Sequence, residues 1–396
     1  MKCLARDHDL WVLTSQRNRA DLEKARAEGL IPKNIEFIHL GRVQPWHPNR
    51  MRARLQDWSE YLNFSKEILP VAKTYHQKIG FDLSHHITFA TWRVASPLAR
   101  LNIPFVFGPI GGNEQFPLRF LNMLSPVAGA FEMFRMLSNC VARSSFKVRQ
   151  CIREAAHIFA ASRETDQLIQ SIRGSRAGVS PLSPAFFSKP KIETFSKPFF
   201  ERKMDGPLRF FAGGNLEGRK GVRLALHALA RAKNRGVRFR YRLGGGGPER
   251  QNLQRLAIRL GMESDVFFGE PLSGEAYLNE LRESHAFLLP SFRESSGLTM
   301  MEAMLAGAAP ITADCGGPAD IVAEECGFKV PVTSPNAMIE KLAQIIETIN
   351  SNRKLVADKG RAASAWISAR YTDDSYLEAV NAVYKSIGPN SISSQI

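Results

Sequence analysis

Glu294 and Glu302 are separated by seven residues in the stretch ESSGLTMME, with Gly297 between them. Each oxygen of a carboxylate accepts hydrogen bonds, so two acids in such a stretch suit the hydroxyls of a sugar or a ribose. A strand expected over 286–290 ends just before the loop that carries Glu294, and a helix expected from Gly297 carries Glu302 about one turn further in. At the start of that helix the amides of Gly297, Leu298 and Thr299 point outward, where unpaired N–H groups and the helix dipole favour a phosphate. Two more glycine-rich corners, AGGNLEGRKG over 212–221 and LGGGGPE over 243–249, sit where a strand hands over to a helix. The first of them sets Arg219 and Lys220 just ahead of Gly221. A lysine there can neutralise a diphosphate and steady the charge that develops as a nucleotide leaves. A single glycine-rich turn is explained by its need for positive φ, so the order of the three corners carries the argument.

The elements that position these residues alternate throughout. Short β-branched and aromatic runs are followed by helical stretches, the pattern of a parallel sheet covered by helices. In the second half, strands are expected over 208–212, 239–243, 266–269, 286–290, 309–312 and 328–330, each followed by a turn and a helix, which makes a doubly wound domain. In such a sheet the crevice at the carboxyl ends of the strands holds the ligand, and Glu294 should face it. In the first half, strands are expected over 10–14, 35–40, 83–89, 104–107 and 157–161. The stretch 180–203, rich in Pro, Ser and Phe and without a period, suits an interdomain connection. The reading is therefore an α/β chain with a Rossmann-like domain over 1–200, a second over 205–372, and a closing helix from about Asp373 to Ile387 with Asp373 as its N-cap.

With 396 residues, 44% of them apolar, the chain can bury two cores of roughly 150 to 200 residues. Its 53 basic and 38 acidic residues leave a net charge of +15, which favours phosphate-bearing ligands, anionic lipid headgroups or nucleic acid. No nucleic-acid motif or aromatic platform accompanies that charge, so nucleic acid is set aside as a partner. The five cysteines, Cys3, Cys140, Cys151, Cys315 and Cys326, form no C-x-x-C pair, which argues against a zinc site or a disulfide framework and for a reducing cytoplasm. No apolar run reaches the roughly 18 to 20 residues of a membrane span. Within 120–137, Phe120, Leu124, Val127, Phe131 and Phe134 recur at helical spacing, and Arg143, Lys147, Arg149 and Arg153 follow. Two readings stay open: a core helix of the first domain, or an apolar face that lies on an anionic membrane surface beside its cations.

The combined order of motifs resembles the retaining, nucleotide-sugar-dependent glycosyltransferases of the GT-B fold, the group 1 or family 4 type. The resemblance is strongest over 208–332, in GNLEGRKG, LGGGGPE, VFFGEPLS and PSFRESSGLTMMEAMLAGAAPITADCGGPADIV. FDLSHHITFATWR and IPFVFGPIGG look like the acceptor-side domain of the same fold. The resemblance implies two Rossmann-like domains facing a cleft, a UDP- or GDP-linked sugar as donor and no resident cofactor or metal. It also implies a glycan or lipid-linked acceptor and a cytoplasmic location at the inner face of the plasma membrane. It assigns Glu294 to hydroxyls of the donor sugar, Glu302 to the ribose, and Lys220 to the diphosphate. The amides of Gly297, Leu298 and Thr299 fall to the phosphates, and backbone groups near Gly245 and Phe268 to the base.

The chain departs from this pattern in three places. Asn215 stands where the family usually has an arginine, so one diphosphate cation is absent, and Arg219 is expected to point elsewhere. Ser295 and Ser296 replace the glycine and aromatic that usually follow the first acid. The first domain is expected to lack its first strand and glycine-rich loop, with the full-length product beginning upstream of Met1. His85 and His86, adjacent on an expected strand, point to opposite faces. One of them is expected at the cleft in an acceptor-side catalytic role, against the alternative of a buried ring satisfied by backbone. Asp7-His8-Asp9 reads as a solvated turn rather than a metal site. A nucleotide-sugar-binding protein without turnover is the rival reading.

Overall fold

The computed structural model describes residues 1–41, 50–88, 91–196 and 204–388. The expected strand end at Phe89, the connection residues 197–203 and the tail 389–396 lie outside the described residues. The second domain carries six parallel strands: β7 (Leu208–Gly213), β8 (Phe239–Gly244), β9 (Val266–Gly269), β10 (Ala286–Leu288), β11 (Ala309–Ala313) and β12 (Phe328–Val330). Their order across the sheet is β12-β11-β10-β7-β8-β9. The chain winds outward one way from β7 and the other way from β10, so the loops after these two neighbours diverge and open a crevice between them. The strands β10 and β11 are buried from end to end, and the apolar residues Leu208, Phe210, Phe211 and Ala212 of β7 are buried too, because helices cover both faces of the sheet.

The first domain holds β1 (Leu10–Ser15), β2 (Ile35–Leu40), β3 (Ser84–His86), β4 (Phe105–Ile110), β5 (His157–Ala160) and β6 (Val179–Pro181), again all parallel. Among the described residues its sheet is in two pieces, β1-β2 and β3-β4-β5-β6. Leu10 of β1 and Leu83 beside β3 pack on one apolar cluster, which ties the pieces together through side chains. The strand β6 falls inside the stretch read as connection. It is three residues long and ends in proline, too short to show a period, and is held by pairing Ile158 with Val179.

Two expectations about helices are corrected. The last helix, Asp373–Ile387, is capped by Thr372 rather than Asp373, because the Thr372 hydroxyl accepts from the Ser375 amide and Ser375 reciprocates. This helix crosses back to the first domain, setting Tyr376, Leu377, Val380 and Tyr384 against Cys3, Leu4, Val106 and Phe159. Phe120 is not part of a core helix of the first domain. It lies in the 3-10 turn Leu118–Met123, fully buried with its ring 4.6 Å from that of Phe292 of the second domain. The α-helix begins later, at Pro126, runs to Ser144, and exposes Val127, Phe131 and Phe134.

His85 is wedged between the Tyr384 hydroxyl, 2.6 Å from Nδ1, and the Gly108 carbonyl, 2.8 Å from Nε2. His86 meets Ser96 Oγ at 2.7 Å through Nδ1 and the Thr88 carbonyl through Nε2. His85 therefore ties β3 to β4 and to the last helix, while His86 ties β3 to the Ser96 turn, and both rings have the internal partners that the buried-ring alternative expects. Burial is the main cause that lowers each pKa from 6.5 to about 4. An unfolded imidazole takes up its proton near the ordinary value, so as pH falls the unfolded state binds protons first. The stability these rings contribute is complete above about pH 6.5 and is lost as pH falls towards about 4. Urea midpoints should be lower at about pH 5 than at about pH 7.5, with a smaller drop in His86→Gln. Equal drops in the two proteins would contradict the assignment.

Candidate functional site

The loops after β7 and β10 meet because glycine lets them. Gly221, at φ 69°, caps the helix Val222–Asn234, and a Cβ there would overlap the Pro290 carbonyl at the end of β10. This close approach seats Lys220 beside the β10 loop. The Arg219 carbonyl accepts from the Phe292 amide at 2.9 Å and from Ser291 Oγ at 3.2 Å, which ties the two loops.

On that frame Arg219 and Lys220 converge on one carboxylate. Lys220 Nζ and Arg219 Nη1 both donate to Glu294 Oε1, the latter at 3.1 Å, and Ser291 Oγ lies 3.3 Å from the same oxygen. All three charged side chains are largely buried, at 14% exposure for Lys220, 16% for Glu294 and 19% for Arg219. Burial alone would lower the Arg219 pKa, but Glu294 and Glu217 outweigh it and leave it raised. Arg219 thus does not point elsewhere as expected. It donates through Nε to Glu217 at 2.7 Å and through Nη1 to the Arg293 carbonyl at 2.6 Å, which aims the second N–H of Nη1 at Glu294. Asn215 Nδ2 donates to Glu217 at 2.6 Å, and so orients the group that orients Arg219.

Next to this cluster starts the helix Leu298–Leu305, capped by Gly297 at φ 75°. Its geometry leaves the first amides, among them those of Leu298 and Thr299, without intrahelical acceptors. The Gly317 amide donates to the Glu294 carbonyl at 2.8 Å, and a Cβ on Gly317 would overlap the Ser295 carbonyl, so the Gly316-Gly317 turn packs directly on the Glu294 loop. Glu302 projects from the helix with both oxygens engaged, by Lys191 Nζ at 2.7 Å and by the Tyr277 hydroxyl at 2.7 Å. Burial first, then Glu302, raises the Tyr277 pKa and keeps the phenol a donor. The carbonyls of Gly245 and Phe268 are held by Arg250, at 3.1 and 2.8 Å. Lys220, Arg219 and Glu294 are therefore in contact, with Asn215 joined to Arg219 through Glu217. Glu302 has partners of its own, and among the described residues His85 bonds to the first domain and the last helix and His86 to the first domain.

Sequence reasoning missed the acids and cations with which the first domain meets this site. Glu164 Oε1 accepts from the Gly316 amide at 2.7 Å, while its buried Oε2 has no partner among the described residues. Glu132 of the Pro126–Ser144 helix accepts from Arg293 at 2.8 Å. Glu114 accepts from the Gly112 amide at 3.0 Å and Ser162 at 2.7 Å, and stands 3.5 Å from Ser295 Oγ. Only Glu114 had a local signal, since it follows the glycine pair of GPIGGNE. Glu164 also borders a polar cavity of about 400 Å³ lined by Asn113, Gln115, Arg143, Gln167 and Ser171.

A crevice at the switch of a doubly wound sheet, faced by a second Rossmann-like domain, defines the GT-B class. Solved structures agree over the whole chain. HepE of Anabaena, in complex with UDP and glucose, aligns over 97% of this chain and 94% of its own at a TM-score of 0.62 and 18% identity. The lipopolysaccharide outer core galactosyltransferase WaaB, in its apo form, aligns over 95% and 99% at 0.61 and 17%. Residues 194–361, which span most of the second domain, match the family described as glycosyl transferases group 1. Curated relatives include a D-inositol 3-phosphate glycosyltransferase of Streptomyces avermitilis, 27% identical over 56% of this chain and 51% of its own. A 2-deoxystreptamine glucosyltransferase of Streptomyces kanamyceticus is 25% identical over 55% and 53%. The chain spans about half the length of these relatives.

The buried cluster sets a stability test. Glu294→Gln leaves Arg219 and Lys220 facing each other with one compensating charge fewer, which should cost about 3 kcal/mol in urea unfolding. An unchanged midpoint would show that the contact contributes nothing in the free protein.

Proposed function

We propose that this protein is a glycosyltransferase that moves a sugar from a UDP- or GDP-linked donor to an acceptor hydroxyl with retention at the anomeric carbon. The observation that carries the reading is the convergence of Arg219 and Lys220 on Glu294 at the β7/β10 crevice, beside the start of the Leu298–Leu305 helix. The match of residues 194–361 to the glycosyl transferases group 1 family supports the reaction class, and a similar fold solved with UDP and glucose supports the donor.

On this reading the donor diphosphate takes Lys220, Arg219 and the amides of Leu298 and Thr299 as partners. Glu294, released by the exchange, accepts hydrogen bonds from the sugar hydroxyls, and Glu302 turns from Lys191 and Tyr277 to the ribose. The acceptor lies on the first-domain side, where the cavity beside Glu164 offers amides, a guanidinium and hydroxyls to a polar glycan or lipid-linked head. Its hydroxyl oxygen bonds to the anomeric carbon on the face from which the phosphate departs. The carbon–phosphate oxygen bond breaks, and the departing oxygen takes the hydroxyl proton. Arg219 and Lys220 meet the charge that develops, so the reaction as proposed uses no resident metal. The setting that fits is assembly of a surface polysaccharide or lipid-linked glycan at the inner face of the plasma membrane.

Release of nucleotide from UDP-, GDP- and ADP-sugars tests this directly. The native chain should release nucleotide from one of them, and Lys220→Ala should lower that rate by about 10²-fold or more. Binding without release in the native chain would favour a nucleotide-sugar-binding protein, a reading in keeping with Asn215 in place of a second diphosphate cation.

A further inference from the structure

We infer that the Pro126–Ser144 helix is a docking surface for an anionic lipid bilayer. The helix is turned inside out. The side chains it buries are Glu132, Arg135 and Asn139, together with Ala142. Its outer face carries Val127 at 73% exposure, Phe134 at 68%, Leu137 at 63% and Val141 at 65%. These positions recur at spacings of seven, three and four, which place them on one side of a helix. The segments before and after the helix add the exposed Leu118 at 55% and Phe146 at 77%. A contiguous apolar face of this extent is not left in water by a soluble monomer without a partner.

Charge decides which partner. From Phe116 to Arg153 the only acid is Glu132, and it is buried against Arg293. Exposed cations stand at the two ends of the stripe, Arg119 next to Leu118 and Lys147 next to Phe146, with Arg143 and Arg153 also exposed. An apolar face with exposed cations and no exposed acid over residues 116–153 matches a layer whose surface is anionic and whose interior is hydrocarbon. A second copy of the same face would instead bring like charges together at each end. Among the described residues no helix is long and apolar enough to cross a membrane, so the contact would be one of lying on the bilayer.

The inner face of this helix gives the docking a consequence. Arg135 donates to the carbonyls of Gly112 and Glu114 at 2.6 and 3.0 Å, and Glu132 holds Arg293, the neighbour of Glu294. A bilayer against the outer face thus seats the element that clamps the first domain onto the donor loop. This deepens the location part of the proposed function and rests on that reading for its purpose, while the contact itself is measured without donor or acceptor.

The test is sedimentation of the full chain with vesicles of phosphatidylethanolamine and phosphatidylglycerol in equal parts, against vesicles of phosphatidylcholine alone. The native chain should bind the first and not the second, with binding falling as salt rises. Phe134→Ser/Leu137→Ser should weaken binding at least about tenfold, and Arg119→Glu/Lys147→Glu should do the same. Phe134→Trp, which keeps the apolar face, should shift its added indole emission to the blue on the anionic vesicles only. Absence of binding, variants that bind like the native chain, or an unmoved emission in Phe134→Trp would overturn the inference. So would a stable dimer in solution that Phe134→Ser/Leu137→Ser dissociates. Nucleotide release measured on the same samples separates a failed docking surface from a failed enzyme.

Discussion

Two cations on one loop and one carboxylate on its neighbour, held together out of water, are what the architecture is arranged around. Arg219 and Lys220 follow β7, and Glu294 follows β10. These strands are far apart in sequence and adjacent in the sheet, because the second domain reverses its winding between them. The contact requires Gly221, whose missing side chain lets the β7 loop touch the Pro290 carbonyl, and the Gly316-Gly317 turn, which backs the Glu294 loop. Buried charges of this kind are stable only while paired. The same need makes the cluster responsive to a ligand that brings its own anion, since a diphosphate can replace the carboxylate on both cations.

The first domain closes the site through contacts of two kinds. Phe116 and Phe120 pack on Phe292 with ring centroids 5.0 and 4.6 Å apart, burying apolar surface that would otherwise belong to a cleft wall. Around that seam, Glu132 meets Arg293, Glu164 meets the Gly316 amide, and Arg163 meets Asp320 at 2.9 Å. Three of these second-domain residues flank or form the Glu294 loop and the turn behind it. The contacts that join the domains therefore also hold the loop that carries Glu294, which fits chemistry that must exclude water. The unpartnered Glu164 Oε2 at this seam is the kind of group that a bound hydroxyl would satisfy.

How much of this was legible in the residues depended on whether the signal was local. All six strands of the second domain were, because each β-branched or aromatic run ends in a glycine or proline turn that the sheet itself requires. The meeting of Lys220 with Glu294 was legible for the same reason, since loops at the carboxyl ends of neighbouring strands converge in any such sheet. The turn of Arg219 towards Glu294 depends on Glu217 and the Arg293 carbonyl and was not. β6 was hidden by its length. The Pro126–Ser144 helix showed its period but not its orientation, since a helical repeat names two faces and says nothing of which is inside. Here Glu132, Arg135 and Asn139 go inward because Arg293, Gly112 and Arg93 wait for them, partners distant in sequence. His85 misled for a similar reason, its ring being claimed by Tyr384 from the opposite end of the chain.

The most direct measurement of the central claim is amide hydrogen exchange of the chain with and without saturating nucleotide-sugar. The account predicts slowed exchange confined to two separated segments, 215–221 and 293–302, appearing together with one ligand, because a single diphosphate draws on both loops. Protection of one segment without the other, or of neither while the ligand is bound elsewhere, would contradict a shared site at the β7/β10 crevice.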